Sequence, residues 1–197
     1  MANYCRDEIK ERQMKKFEEK TIQTKRVFKG KVISLQVDDV LLPNGKESKR
    51  EIVKHPGAVA VIALTADDRI VFVEQYRKPL ERSLLELPAG KMEPNEAAEK
   101  TARRELEEET GYTTDSLTYI TSFYTSPGFA DELIHLYYTD WLIRLKEPVA
   151  LDEDEFVEVR YLTLEEAEQC VVNQEIYDAK TAYALLYLRN MRMMKEC

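Results

Sequence analysis

Glu105, Glu107, Glu108 and Glu109 fall within five positions of the stretch RRELEEETG, Arg103 to Gly111. If a helix ends at Gly111, these carboxylates sit where the macrodipole is already negative, each at a cost of roughly a few tenths of a kcal/mol. Glu105 and Glu109 also repel as an i,i+4 like-charge pair. Ala98, Ala102, Glu105 and Glu109 fall on one helical stripe, small at its upper end and acidic at its lower, with Glu108 beside it. Carboxylates that continue a buried stripe must be neutralised, protonated or bound to metal. Oxygen ligands without thiolates and with few imidazoles select a hard cation, Mg²⁺ or Mn²⁺. Such a cluster suits phosphate substrates, whose oxygens the metals clamp while a water is activated for in-line displacement. Arg104 adjoins the carboxylates and can fix one of them by a charge-assisted bond. Taken alone, ELEEE reads equally well as a solvated glutamate-rich helix end. The glycines on either side, Gly90 in LPAG and Gly111, favour the site.

The elements that must carry these residues follow from pattern. A helix is expected from about Glu96 to Thr110, with Asn95 as N-cap and Gly111 as its stop. A second begins at Thr163, where TLEE makes a capping box with Glu166. A third starts near Asp178, with Ala182, Leu185, Leu186 and Leu188 on its apolar face. AVAVIAL (58–64) and IVFVEQY (70–76) read as strands joined into a hairpin by TADDR; further strands are expected near 117–124, 133–141 and 157–162. From Lys25 to His55 the pattern is β-like, with PNGK as a turn, while residues 1–20 read as a loose tail or short amphipathic helix. Strands and helices mix without regular βαβ alternation, so the class is α/β with a mixed sheet flanked by helices. A boundary near 50–57 separates a segment 1–54 from a main domain 55–197.

Composition narrows the partners. The 197 residues carry a net charge of -8, with 34% charged and 44% hydrophobic residues. That balance opposes a nucleic-acid surface or an anionic membrane as main partner, although an acidic protein binds phosphates when metals supply the positive charge. No apolar run approaches the roughly 20 residues of a membrane span, and MANYCRDEIKERQMKKFEEK lacks the apolar core of a secretory signal. Cys5, Cys170 and Cys197 are odd in number and widely spaced, so a reducing cytoplasm is the expected compartment. His55 and His135 are too few for a histidine-rich zinc site and read as strand-end or sheet residues.

GKMEPNEAAEKTARRELEEETGY, Gly90 to Tyr112, resembles the Nudix box GX5EX7REUXEEXGU. Gly90, Glu96, Arg104, Glu105, Leu106, Glu108, Glu109 and Gly111 fall on the pattern. Tyr112 departs from it, standing where an aliphatic residue is usual, and is expected to pack as an apolar cap. KREIVKHPGAVAV, EQYRKPLE, ELPAGK, YTSPGFADE and LDEDEFVE are similar to the bacterial ADP-ribose pyrophosphatase branch of the family, as is Pro127, sixteen residues beyond Gly111.

The resemblance implies a Nudix fold, an α/β/α sandwich around a mixed β-sheet with an N-terminal antiparallel β segment. It implies metal ligands at the Ala89 carbonyl, Glu105, Glu109 and Glu155, support from Glu108, and Glu153 as general base; without it, LDEDEFVE reads as an ordinary solvated acidic turn. Lys31, Val32, Arg50 and Glu51 match positions near the adenosine end of a substrate. Arg77 and Lys91 match positions near phosphates and ribose, and Ser126, Gly128 and Glu132 line the proline loop. Arg50 and Arg77 read equally as surface ion-pair residues. Lys31 stands in place of an adenine-stacking aromatic, with Phe28 nearby. Relatives are homodimers whose N-terminal β segments exchange, which implies the same here for 1–54. The implied activity is Mg²⁺-dependent hydrolysis of ADP-ribose to AMP and ribose 5-phosphate. The alternatives are another nucleoside-diphosphate sugar or dinucleotide as substrate, or a sensor that binds without hydrolysing.

Overall fold

The computed structural model describes residues 16–147, 149–151 and 155–195. The chain divides into two compact units: one takes in the chain up to His55 together with Ser126–Asp131, the other Pro56–Thr125 and everything from Glu132 onward.

The first unit is an antiparallel meander of β1 (Lys20–Lys29), β2 (Ser34–Leu41) and β3 (Glu47–Lys54). Asn44-Gly45 makes the β2–β3 turn, Gly45 taking a φ of 78° that a side chain would resist. The strand β1 begins five residues earlier than the β-like pattern indicated, because Lys20–Thr24 pair with β2 despite their polar sequence. The segment Ser126–Asp131 is pinned to β3: Val53 N–H donates to the Phe129 carbonyl at 2.8 Å, and His55 N–H donates to Asp131 Oδ1 at 2.8 Å.

In the second unit, β4 (Ala58–Ala63) lies at the centre of a mixed four-stranded sheet ordered β7-β4-β10-β9. Here β7 is Ala89–Lys91, β9 Thr118–Tyr124 and β10 Leu133–Thr139, with β10 parallel to β4 and the other pairs antiparallel. A second, antiparallel sheet is ordered β12-β5-β6, from Val157–Leu162, Ile70–Arg77 and Arg82–Glu86. β8 (Tyr112–Thr113) pairs with β11 (Ile143–Arg144). The expected hairpin between β4 and β5 is corrected: one Leu64–Ile70 bridge closes the TADDR turn, and the two strands then enter different sheets. Both runs are continuously apolar because both faces of each are covered, which removes the alternation a hairpin reading relies on.

Helices cover the two sides of β4. α1 (Ala98–Thr110) sets Ala102 and Leu106 against Val59, Val61, Ala63 and Val71. α2 (Leu164–Val172) and α3 (Ala179–Lys195) close a larger core around Ala60, Ile62, Phe72, Leu87 and Leu136. The Thr163 capping box is formed as expected, Thr163 Oγ1 accepting from Glu166 N and Glu166 Oε2 from Thr163 N. On α3, Leu185 and Leu188 are buried, but Leu186 faces outward and Ala184 takes its place in the core. The buried set Thr181, Ala184, Leu185 and Leu188 follows i, i+3, i+4, i+7, a stripe one step round from Leu186. No helix among the described residues is long and apolar enough to cross a membrane.

Candidate active site

α1 starts at Ala98 rather than near Glu96, and Asn95 is not its cap. Asn95 adopts a left-handed φ of 65° in the preceding turn, and the N-cap position belongs to Ala97, without a side-chain bond. Glu96 is held by other means, accepting from Thr101 Oγ1 at 2.9 Å and from Arg104 Nη2 at 3.2 Å. The far end agrees with the sequence: Gly111, φ 67°, stops the helix and donates its N–H to the Glu107 carbonyl.

Between these ends the stripe turns acidic while staying buried. Glu105 and Glu109 are 6% and 5% exposed, continuing the face that Ala102 and Leu106 press into the core. Glu109 Oε2 accepts the N–H of Ala89 at 2.8 Å. The Glu105 carboxylate lies flat against Gly90; a Cβ there would stand 1.9 Å from its carboxyl carbon. The last turn of α1 and the short strand β7 therefore meet through two carboxylates and a side-chain-free backbone.

Arg104 organises the exposed flank. Its Nη1 donates to Glu105 Oε1 at 2.8 Å and Glu108 Oε2 at 2.9 Å, and its Nη2 to the Lys91 carbonyl at 3.2 Å. Partial burial works against its charge, yet Glu96, Glu105 and Glu108 together hold its pKa above the usual arginine range. Its buried Nε has no hydrogen-bond partner among the described residues. Glu107 leaves the group: it accepts from Thr113 Oγ1 at 2.6 Å on another side of the helix.

The electrostatics follow from burial with too few cations. Burial is the first cause lifting the Glu105 pKa to about 7; Arg104 opposes it, while Glu108 and Glu155 add to it. Burial likewise lifts Glu109 to about 8, opposed by the Ala89 N–H and by Arg77 and reinforced by Glu105 and Glu155. Glu155, implied as a further ligand, thus lies within electrostatic reach of both carboxylates. Glu153, the implied base, falls outside the described residues. Among the described residues no three acidic, histidine or cysteine side chains form a ready-made metal cage. Glu105, Glu109 and the Ala89 carbonyl supply hard oxygen donors whose mutual repulsion a divalent cation would relieve.

Arg77, at the end of β5, is no free surface residue. It forks onto Glu86, Nε at 2.5 Å and Nη2 at 3.0 Å, and feels the charge of Glu109. Glu86 was missed in the sequence, although a charge inside the apolar run SLLELPAG has to find a buried partner. Lys91 points to solvent, and Glu132 accepts from Thr125 Oγ1. The remaining positions that the resemblance implied for substrate belong to the first unit. Lys31, Val32 and Glu51 are exposed there; Arg50 is engaged by Glu19, Ser48 and the Lys49 carbonyl. The Ser126 carbonyl closes the proline-loop turn by accepting from Phe129 and Ala130 N–H, with Gly128 exposed at its tip. The Phe28 ring covers Gly30, where a Cβ would come within 2.9 Å of it.

The NUDIX domain model matches residues 54–184, and the model of the nucleoside diphosphate sugar hydrolase N-terminal domain matches residues 19–53. The chain belongs to the Nudix family. Among its Nudix relatives, an ADP-ribose pyrophosphatase of Bacillus subtilis (strain 168) is 62% identical over 176 residues, 89% of this chain and 95% of that protein. A methanol dehydrogenase activator of Bacillus methanolicus is 58% identical over 181 residues, 92% of this chain and 98% of that protein. The crystal structure of an ADP compounds hydrolase superposes with a TM-score of 0.78 at 20% identity, covering 90% of this chain and 96% of that one, which establishes the Nudix fold. Within that fold the Tyr112 departure is accommodated: its ring packs on the α1 core, edge-on to Tyr161 at 6.4 Å and beneath the Arg144 guanidinium at 4.8 Å.

Proposed function

We propose that this chain is a Mg²⁺-dependent hydrolase that splits the diphosphate of ADP-ribose into AMP and ribose 5-phosphate. The observation that carries the reading is the Glu105–Glu109 pair, two buried carboxylates lifted to about 7 and about 8 at the Ala89–Gly90 bend. Its likeness to an ADP-ribose pyrophosphatase at 62% identity supports the substrate. Other nucleoside-diphosphate sugars and dinucleotides remain as alternatives that the substrate panel below separates. Family members generally depend on divalent metals.

In this reading Glu105, Glu109, Glu155 and the Ala89 carbonyl hold the cation, and Arg104 locks Glu105 and Glu108 in place. When bound, the metal supplies charge neutralisation of the diphosphate and a more acidic water. Arg77 receives a phosphate oxygen in the geometry for which guanidinium is suited. Glu153, or Glu108 in its place, removes the proton from the attacking water. Lys31, Val32, Arg50, Glu51, Lys91, Ser126, Gly128 and Glu132 contact the nucleoside and ribose ends. The segment 1–54 exchanges between two copies. The exposed Ile22, Val27, Phe28, Val32 and Ile33 on a three-stranded unit support that homodimer, and cysteine usage supports a cytoplasmic location.

The test is turnover of ADP-ribose, NADH, diadenosine polyphosphates and sugar nucleotides with Mg²⁺ or Mn²⁺ in ¹⁸O water. AMP from ADP-ribose, with label on AMP or on ribose phosphate, supports the reading and names the phosphorus attacked. Failure on every diphosphate nucleotide with either metal sinks it. A second reading, activation of a methanol dehydrogenase, is favoured by the 58% identity to a protein of that name. Addition of the chain to such a dehydrogenase, wild type against Glu109→Gln, tells whether any stimulation needs hydrolysis.

A further inference from the structure

Glu86 carries two cations, not one. Its side chain is 3% exposed. Arg77 forks onto it from β5, and Lys180 Nζ, in the first turn of α3, bonds the same Oε2 from the helix side. Lys180 Nζ is held in turn by Asp178 Oδ1 at 3.0 Å. That oxygen also accepts the N–H of Thr181 at 3.1 Å, and Thr181 Oγ1 accepts the N–H of Leu87 at 3.1 Å. The start of α3 therefore grips residues 86 and 87 together, two positions before Ala89.

This geometry does two things for Arg77. A carboxylate bonded to Arg77 alone can rotate with the guanidinium; bonded also to a lysine anchored on a helix, it becomes a fixed post. Sharing Glu86 with Lys180 also leaves part of the Arg77 fork unspent: Nη1 donates to nothing among the described residues, while Glu86, Glu109 and Asp178 keep the guanidinium charged. The half of the fork turned away from Glu86 is thereby oriented and still electropositive, which is what a diphosphate oxygen requires.

We infer that Lys180 is a positioning residue for substrate phosphate: through Glu86 it fixes the Arg77 guanidinium beside the Glu105–Glu109 pair. The inference rests on the diphosphate-hydrolase reading above. Nothing in the sequence pairs Lys180 with Glu86, since 94 residues separate them.

The experiment is a double-mutant cycle on ADP-ribose hydrolysis at saturating Mg²⁺, with Lys180→Met, Arg77→Ala and the pair. Lys180→Met is expected to raise KM about tenfold with kcat held within about threefold, and Lys180→Arg to restore KM, the pattern of lost uniform binding. In the Arg77→Ala background, Lys180→Met should change nothing further. Equal losses in both backgrounds, or no rescue by arginine in a variant that melts like wild type, overturn the inference. Lys180→Gln serves the same cycle if the methionine variant does not fold. A readout free of turnover is the Arg77 Nε–H resonance, assigned by its loss in Arg77→Lys. It should move in Lys180→Met and return in Lys180→Arg; a resonance that stays put overturns the inference. If wild type hydrolyses nothing, the functional reading fails, and the resonance still decides the role of Lys180.

Discussion

Two buried glutamates within one unit carry opposite electrostatic signatures. Glu86 and Glu109 are 3% and 5% exposed, so burial penalises both charges alike. Glu86 nevertheless has its pKa held below the usual carboxylate range, because Arg77 and Lys180 outweigh burial. Glu109 is driven up to about 8, since an Ala89 N–H and a more distant Arg77 cannot offset burial and two neighbouring acids. Partners, not depth, set the charge state. Glu86 is complete within the chain, and Glu109 is a site built short of positive charge. That shortfall is what suits the second region to the cation proposed above, with the first as its scaffold.

The largest effect that would test the contrast comes from Glu109→Gln. Turnover of ADP-ribose should fall on the order of 10²–10³-fold, the size expected for removing one group that stabilises transition-state charge. Melting temperature in EDTA at pH 8 should rise, because a strained acid has been replaced by a neutral amide; a fall would erase the distinction from Glu86. Glu86→Gln is the converse. It should lower stability by about 3 kcal/mol, the scale for breaking a buried ion pair by removing one partner, as read by urea unfolding.

A pH series sharpens the difference further. The folded-state pKa values of Glu105 and Glu109, about 7 and about 8, lie above the ordinary value of 4.5. The folded state therefore binds more protons than the unfolded one across that interval. Stability from these two groups is fully present below about pH 4.5 and is lost as pH rises through 7 to 8. Thermal melts in EDTA from pH 5.5 to 8.5, wild type against the Glu105→Gln/Glu109→Gln double variant, should show wild type losing ground with rising pH. Added Mg²⁺ should reverse the trend at the alkaline end, since metal and proton compete for the same oxygens. The smallest effect is reserved for Glu107→Gln. Its partner is Thr113, away from the other three carboxylates, so kcat/KM should stay within about twofold of wild type.

The same contrast explains what could be read from the chain before folding. The acidic stripe, the Gly111 stop and the Thr163 capping box are local features, set by residues three to eleven positions apart, and they stand where the pattern placed them. Asn95 looked like a cap because its type suits one; Arg104 and Thr101 instead claim Glu96 and shift the start of α1 to Ala98. The β4–β5 hairpin looked natural because a short turn joins two apolar runs, but both runs needed cover on two faces and went to separate sheets. Leu186 and Leu185 are indistinguishable by composition, and only the phase of α3 against the core tells them apart. Glu86 with Lys180 was illegible for a different reason: ion pairs between distant segments leave no periodic trace.

The bare backbone at Gly90 has a consequence for how this protein tolerates variation. Because the Glu105 carboxylate occupies the space any Cβ would claim, even alanine there would evict an acid from its seat rather than merely crowd it. A saturation library scored separately for folded yield and for catalysis should show position 90 as blank in the catalytic map, alanine included. The smallest side chain in the box thus sets its strictest rule, by leaving room for another residue's oxygens.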